Sequence, residues 1–153
     1  MAMTMQGEVT LPAERARVWA ALNDPEVLKA CIPGCQELEK VSDTEFAAVA
    51  KLAVGPVKAT FKGNVILSDI DAPNGYTITG EGQGGVAGFA KGGAKVRLAE
   101  AEGGTQLSYD VEAQVGGKIA QLGGRLINGV AKKYADQFFG NFAKLLAPAE
   151  NAA

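Results

Sequence analysis

The side chains that most often carry catalysis are scarce in this sequence of 153 residues, which contains no histidine. That absence removes Ser-His-Asp and Cys-His nucleophiles, imidazole-based zinc sets and the usual proton carrier near neutral pH. Two cysteines, Cys31 and Cys35, bracket Ile32-Pro33-Gly34. Two thiols are too few for a disulfide framework or a structural zinc site, and a redox role needs a cationic activator, so they read as reduced structural thiols. Glu45, Asp69, Asp71, Asp110 and Glu112 read as solvated charges on outward faces. No pair of them is placed so that burial would split their pKa values, which leaves general acid–base chemistry without an agent. The run Gly80-Glu81-Gly82-Gln83-Gly84-Gly85 has the glycine density of a phosphate loop. Such a loop must follow a strand and open a helix, whereas residues 86–94 read as more strand. No catalytic residue and no metal ligand is assigned, and the protein is expected not to be an enzyme by itself.

These residues must sit on some scaffold, and composition bounds it. Lys plus Arg is 15 and Asp plus Glu is 17, a net charge of −2. Phosphate binding needs concentrated positive charge, so no nucleic acid partner is expected. The length predicts a single domain over 1–147, able to bury roughly two-thirds of its unfolded surface, with a frayed tail at 148–153 after Pro148. The first ten residues lack the basic and apolar regions of a signal peptide, and no apolar run reaches 18 residues. The expected location is therefore cytoplasmic.

Residues 3–11 alternate weakly and predict a strand. Pro12 and Glu14 then open a first helix carrying Val18, Trp19 and Leu22. Asn23-Asp24-Pro25 ends it and caps a second over 25–30, which Ile32-Pro33-Gly34 stops. Strands are predicted at 44–54, 57–67, 76–82, 87–98 and 105–115. The period of two is clearest at 57–67, where Val57, Ala59, Phe61, Gly63, Val65 and Leu67 share one face. Lys91, Lys95 and Arg97 share parity with Phe89, so Phe89 faces water unless a bulge near Gly92-Gly93 turns it inward. From 118 to 146 the period becomes 3.6, with Ile119, Leu122, Leu126, Val130, Tyr134, Phe138, Phe142 and Leu145 in one stripe. A continuous helix of that length runs about 43 Å. Its C-terminal half also carries Phe139 and Leu146 beside Lys132, Lys133 and Lys144, which suits either a broad core face or an amphipathic surface for a membrane or partner.

A run of antiparallel strands closed by one long helix is an α+β arrangement in which the helix buries its stripe on the concave face of the sheet. Glycine numbers 20 residues, and glycine in strands permits bends and removes side-chain volume. Gly123, Gly124 and Gly129 cost the helix about 1 kcal/mol each relative to alanine. Close packing of helix on sheet offsets that cost in one reading, and room for an apolar ligand explains it in the other. The candidate lining of such a pocket is Trp19, Leu28, Ile32, Phe61, Phe89, Leu107, Tyr109, Leu122, Leu126 and Val130.

The run from Asp24 to Cys35, DPEVLKACIPGC, resembles the DPE-x-L-x-x-C-I-P-G signature of the CoxG family of carbon monoxide dehydrogenase subunits. Val54-Gly55-Pro56-Val57 with Phe61-Lys62-Gly63, the run from Gly116 to Gly123, and Gln137-Phe138-Phe139 are similar to it as well and occur in family order. The resemblance implies a helix-grip fold of the Bet v 1/START-like (SRPBCC) type with an apolar cavity under the long helix. It implies an accessory role beside a molybdenum-containing CO dehydrogenase or related hydroxylase, linking that enzyme to the membrane quinone pool, with menaquinone or ubiquinone as bound ligand and no covalent cofactor. Larger relatives continue into a membrane-binding tail. This chain stops at Ala153, so the membrane contact that the resemblance implies is expected to be peripheral, at the inner face of the membrane, or through the partner. The alternative is an assembly or docking factor for the dehydrogenase with a filled core and no ligand role.

Overall fold

The computed structural model describes residues 2–147. The predicted fraying at 148–153 lies outside the described residues. In chain order the elements are β1 (Ala2–Leu11), α1 (Arg15–Leu22), α2 (Pro25–Cys31), β2 (Cys35–Ser42), β3 (Glu45–Val54), β4 (Val57–Asp71), β5 (Gly75–Gln83), β6 (Phe89–Ala101), β7 (Gly104–Gly116) and α3 (Gly124–Leu146). Short 3-10 turns at Gly85–Ala87 and Lys118–Leu122 precede β6 and α3. The strands form one antiparallel sheet in the order β1-β7-β6-β5-β4-β3-β2.

Local chemistry accounts for most boundaries. Asp24 caps α2 by accepting a hydrogen bond from the Glu26 amide at 3.0 Å, with Pro25 in the first turn. β3 and β4 meet through Gly55-Pro56, with Val54 opposite Val57 and Gly55 at φ +59. A two-residue hairpin loop needs such a left-handed residue, and glycine adopts it without a Cβ clash.

Three expectations change. The sheet gains β2, which hydrophobic alternation does not reveal because CQELEKVS shows one half-buried apolar position, Leu38, among charges. β2 is an edge strand, so period-two burial has little to act on. The last helix is not continuous from 118 to 146. Gly123 stands at φ +92 between the 3-10 turn and α3, which shortens the α-helix to 23 residues, about 34 Å. Within α3 the predicted stripe also winds around the helix, because residues four apart turn by about 40° at each step. Ile127, Phe142 and Leu146 are buried, whereas Leu126 and Leu145, placed in the predicted stripe, are 37% and 41% exposed.

The core falls into two clusters. The larger one gathers Leu11, Val18, Leu22, Cys31, Phe46, Leu67, Tyr76, Leu98, Leu107, Phe142 and Leu146 where α1, α2 and the end of α3 meet the sheet. The smaller one holds Ala87, Val115, Ile119 and Ile127, with Val54, Val57 and Phe61 against them, at the opposite ends of the strands. α3 is pinned along its length. The Tyr134 hydroxyl accepts from the Ala53 amide at 2.9 Å and donates to the Ala53 carbonyl at 3.1 Å, and Asn141 donates to the Cys31 carbonyl at 3.0 Å. Tyr109 stacks on Phe139 with ring centroids 5.3 Å apart, and Phe139 meets Phe138 edge-on at 5.1 Å.

Candidate functional site

The register of β4 on β5 from Lys62 to Ser68, and that of β5 on β6, run unbroken and lay inward-facing residues in rows across the sheet. One row reads Ala48, Gly63, Gly82, Ala90 and Val115, and the next reads Phe46, Val65, Gly80, Gly92 and Ala113. Ile78, Ala94 and Val111 form a third. Between the two core clusters the concave face is thus nearly stripped of side-chain volume. A cavity of about 350 Å³ opens there, with Phe61, Val65, Ile78 and Val111 as its larger apolar side chains and Gly80, Gly82 and Gly92 in its floor. That volume lies at the small end of the range for small-molecule sites, roughly 300–1,000 Å³.

The glycines of this floor are not equivalent. A Cβ on Gly92 would fall on the Glu112 carbonyl oxygen and 2.6 Å from the Ala113 Cα, and one on Gly63 would lie 2.5 Å from the Glu81 carbonyl oxygen. These two let neighbouring strands close on each other as the sheet bends. A Cβ on Gly82 would meet nothing within 4 Å, and one on Gly80 would make ordinary contacts of 3.4 and 3.5 Å. Gly82 faces empty space.

Glu81, Lys91 and Glu112 also border the cavity, from positions of the opposite parity to the floor residues. Tyr76 lies in the large cluster against Trp19, ring centroids 5.2 Å apart, and burial pushes its hydroxyl pKa up to about 12. Burial also raises the Cys31 thiol. For Cys35 burial outweighs the opposing pull of the Lys29 charge and of the hydrogen bond its thiol donates to the Glu37 carbonyl. Both shifts disfavour the thiolate. Among the described residues no group of His, Cys, Asp and Glu could hold a metal ion. A larger depression, about 620 Å³, is lined by Glu37, Glu39, Lys62, Asn64, Glu81 and Gln83, which share the outward parity, and by Lys29 of α2. Its charged rim suits water, not an apolar molecule.

Of the ten predicted lining residues, Phe61 alone borders the apolar cavity. Leu107 is buried in the large cluster, with Trp19, Leu28 and Tyr109 packed against it. Ile32 is half-buried at the C-cap of α2. Leu122, Leu126 and Val130 line a separate groove on α3 with Arg125, Gly129 and Lys133. Phe89 is on the outer face, because β6 keeps register with β5 and β7 and no bulge intervenes. Its ring lies where a Cβ on Gly116 would be, so a cross-strand glycine covers it. The residues missed are Ala48, Ala50, Gly80, Gly82, Ala90, Gly92, Ala94 and Ala113. Their signal was present: small residues on the inward parity of adjacent strands. Large side chains fill space, and a cavity is found where they are missing.

The curved sheet, two short helices and long closing helix define a helix-grip protein. The aromatase/cyclase ZhuI of Streptomyces sp. R1128 shares it at TM-score 0.70 and 12% identity, over 95% of this chain and 94% of that one. Ara h 8.0201 does so at TM-score 0.64 and 19% identity, over 95% and 99%. A conserved protein of Geobacillus kaustophilus is more similar, at TM-score 0.88 and 32% identity over 94% of this chain and 95% of that one. No curated protein matches the chain in sequence. Residues 7–147 match the CoxG family of carbon monoxide dehydrogenase, and the chain belongs to this family of accessory subunits. Among the described residues no helix is long and apolar enough to cross a membrane.

Proposed function

We propose that this protein is an accessory factor of a molybdenum-containing CO dehydrogenase or related hydroxylase, and that it holds a quinone-like molecule in the cavity on the concave face of the sheet, linking the enzyme to the membrane quinone pool. The observation that carries the reading is Gly82, whose missing side chain leaves space in an apolar floor. A flat ring suits that floor: Gly63 opposite Gly82 and Gly80 opposite Gly92 expose bare backbone over neighbouring strands. Menaquinone or ubiquinone supplies such a ring and carries electrons between enzymes when bound. The cavity's residues do no chemistry on it. They exclude water from its faces and offer dispersion contacts at low polarity.

Extraction of the purified protein into organic solvent, followed by mass spectrometry, tests the reading, together with titration by 2-methyl-1,4-naphthoquinone read through the single tryptophan, Trp19. Gly82→Leu puts a side chain into that space from a Cβ that meets nothing within 4 Å, and is expected to weaken quinone binding about tenfold or more while the protein stays folded. An extract free of quinone, together with no titratable binding by the wild type, overturns the ligand reading and leaves the docking role alone.

A further inference from the structure

The two edges of the sheet are built differently. β2, at one edge, carries Glu37, Glu39 and Lys40 and breaks register with β3 between Cys35 and Glu37 and again between Lys40 and Ser42. Charges and bulges of that kind discourage a further strand. β1, at the other edge, holds register with β7 without interruption from Ala2 to Leu11. Its sequence, AMTMQGEVTL, has one charge, Glu8, and no proline. A long, regular and nearly uncharged edge is a template for pairing.

The free groups of β1 follow from the hairpin beside it. β6 and β7 join through the turn Glu102-Gly103, with Ala101 opposite Gly104. The pair that closes such a turn is hydrogen-bonded, and bonded and non-bonded pairs alternate along an antiparallel ladder. β7 therefore bonds to β6 through its even-numbered residues. It bonds to β1 through Thr105, Leu107, Tyr109, Val111 and Ala113, which lie opposite Leu11, Val9, Gly7, Met5 and Met3. The amides and carbonyls of Thr4, Gln6, Glu8 and Thr10 point the other way, off the sheet. Among the described residues no other element takes them. The side chains of these four are exposed, and the inward Met3, Met5 and Val9 are only half-buried beside the open edge.

This edge is complementary to itself. Two antiparallel copies of β1 about a two-fold axis at Gln6 set Gln6 against the partner's Gln6, Thr4 against the partner's Glu8 and Ala2 against the partner's Thr10, so the free backbone groups of each find a match. The two Glu8 carboxylates then stand about 14 Å apart along the strands, where salt screens their repulsion. On the inner face Met5 comes opposite the partner's Gly7, which is bare because a Cβ there would fall on the Tyr109 hydroxyl. A long flexible side chain against a glycine packs without conflict. We infer that β1 is the interface of a homodimer in which two seven-stranded sheets join edge to edge, with both concave faces on one side. The blunted β2 edge closes the assembly at two copies, since further growth needs a second open edge. One pair of strands buries less than a standard protein interface, so the dimer is expected to dissociate in the micromolar range. The inference is independent of any ligand in the cavity.

Sedimentation velocity of the full chain from about 1 µM to about 500 µM, with reductant present to exclude linkage through Cys35, tests it. The mass is expected to rise from that of one chain to that of two. Gln6→Pro removes an amide that faces away from β7. It is expected to leave the melting temperature nearly unchanged and to raise the dissociation constant about tenfold or more. Gln6→Lys and Gln6→Glu each put like charges on the two-fold axis and are each expected to weaken the dimer several-fold. An equimolar mixture of the two is expected to restore it, because the axis then holds an opposite pair. Glu39→Lys, on the β2 edge, is expected to change nothing. A single-chain mass at every concentration, growth beyond two copies, a dimer untouched by Gln6→Pro, equal loss from Glu39→Lys, or a mixture no tighter than its components overturns the inference. If Gln6→Pro lowers the melting temperature, the charged pair decides.

Discussion

The same strands build two different interiors within a few residues of each other. Toward the ends where the hairpins carry Asp43 and Glu102, β3 to β7 turn Phe46, Leu67, Tyr76, Leu98 and Leu107 inward, and α3 answers with Phe142 at 0% and Leu146 at 1% exposure. A short way along the strands, the inward positions become Ala48, Gly63, Gly82 and Ala90, and no large side chain descends to meet them. Backbone, register and pleat continue without interruption through β4, β5 and β6 at this point. What changes is the volume attached to alternate residues. The filled end supplies stability, and the thinned middle gives part of it up for space, since voids forfeit dispersion contacts.

The sharpest way to break this contrast is at the filled end. Phe142→Ala should cost about 3–5 kcal/mol, by lost transfer energy and the cavity left behind. A urea midpoint shifted by less than a third of that range would mean that the large cluster is not the main support. Tyr76 gives a pH test of the same cluster. Its phenol ionises in the unfolded chain near the ordinary tyrosine value of 10.0 but only near 12 in the fold. The unfolded state therefore binds fewer protons in that window, so stability should fall as pH rises from 10 to 12, by a total on the order of 2–3 kcal/mol. Melting curves across this range should lose that slope in Tyr76→Phe.

Within the thinned middle, the two kinds of glycine should separate. Gly92→Ala drives a methyl group onto the Glu112 carbonyl and should destabilise by about 2 kcal/mol, in the range for overpacking. Tyr134→Phe, which removes both hydrogen bonds to Ala53, should cost about 1 kcal/mol. Gly82→Ala is the smallest effect and has the opposite sign. With no steric conflict, the loss of freedom in the unfolded chain should stabilise the protein by about 0.5 kcal/mol. Thermal melts of the three variants side by side check the order. A cost at Gly82 equal to that at Gly92 would show that the floor glycines serve curvature alone.

Much of the architecture is readable from the chain. The period of two along Val57–Leu67 and the cap at Asp24-Pro25 predict their elements because each depends on neighbours in sequence. β2 escapes because a charged edge strand has only Leu38 to betray it. The start of α3 escapes because Gly123, at φ +92, interrupts the helical run, and its buried face is only partly legible because a stripe of residues four apart drifts by about 40° per step, which puts Leu126 and Phe142 on opposite sides of the helix. Aromatic and aliphatic side chains are the natural place to look for an apolar cavity, yet those are the residues that close space. Small residues in adjacent strands line up only once the register is known, and register is a property of pairing.

The bond pair from Tyr134 to Ala53 has one more consequence. β2 pairs with β3 only as far as Ala50, and the Lys51 amide is taken by the Gly34 carbonyl. Beyond that point the backbone of β3 is a free rim, the kind of surface on which strands from other copies of a chain can add. The Tyr134 hydroxyl occupies both the donor and the acceptor of that rim at Ala53. The helix that closes the sheet is thereby also its guard against self-association: it denies the next strand a place to start.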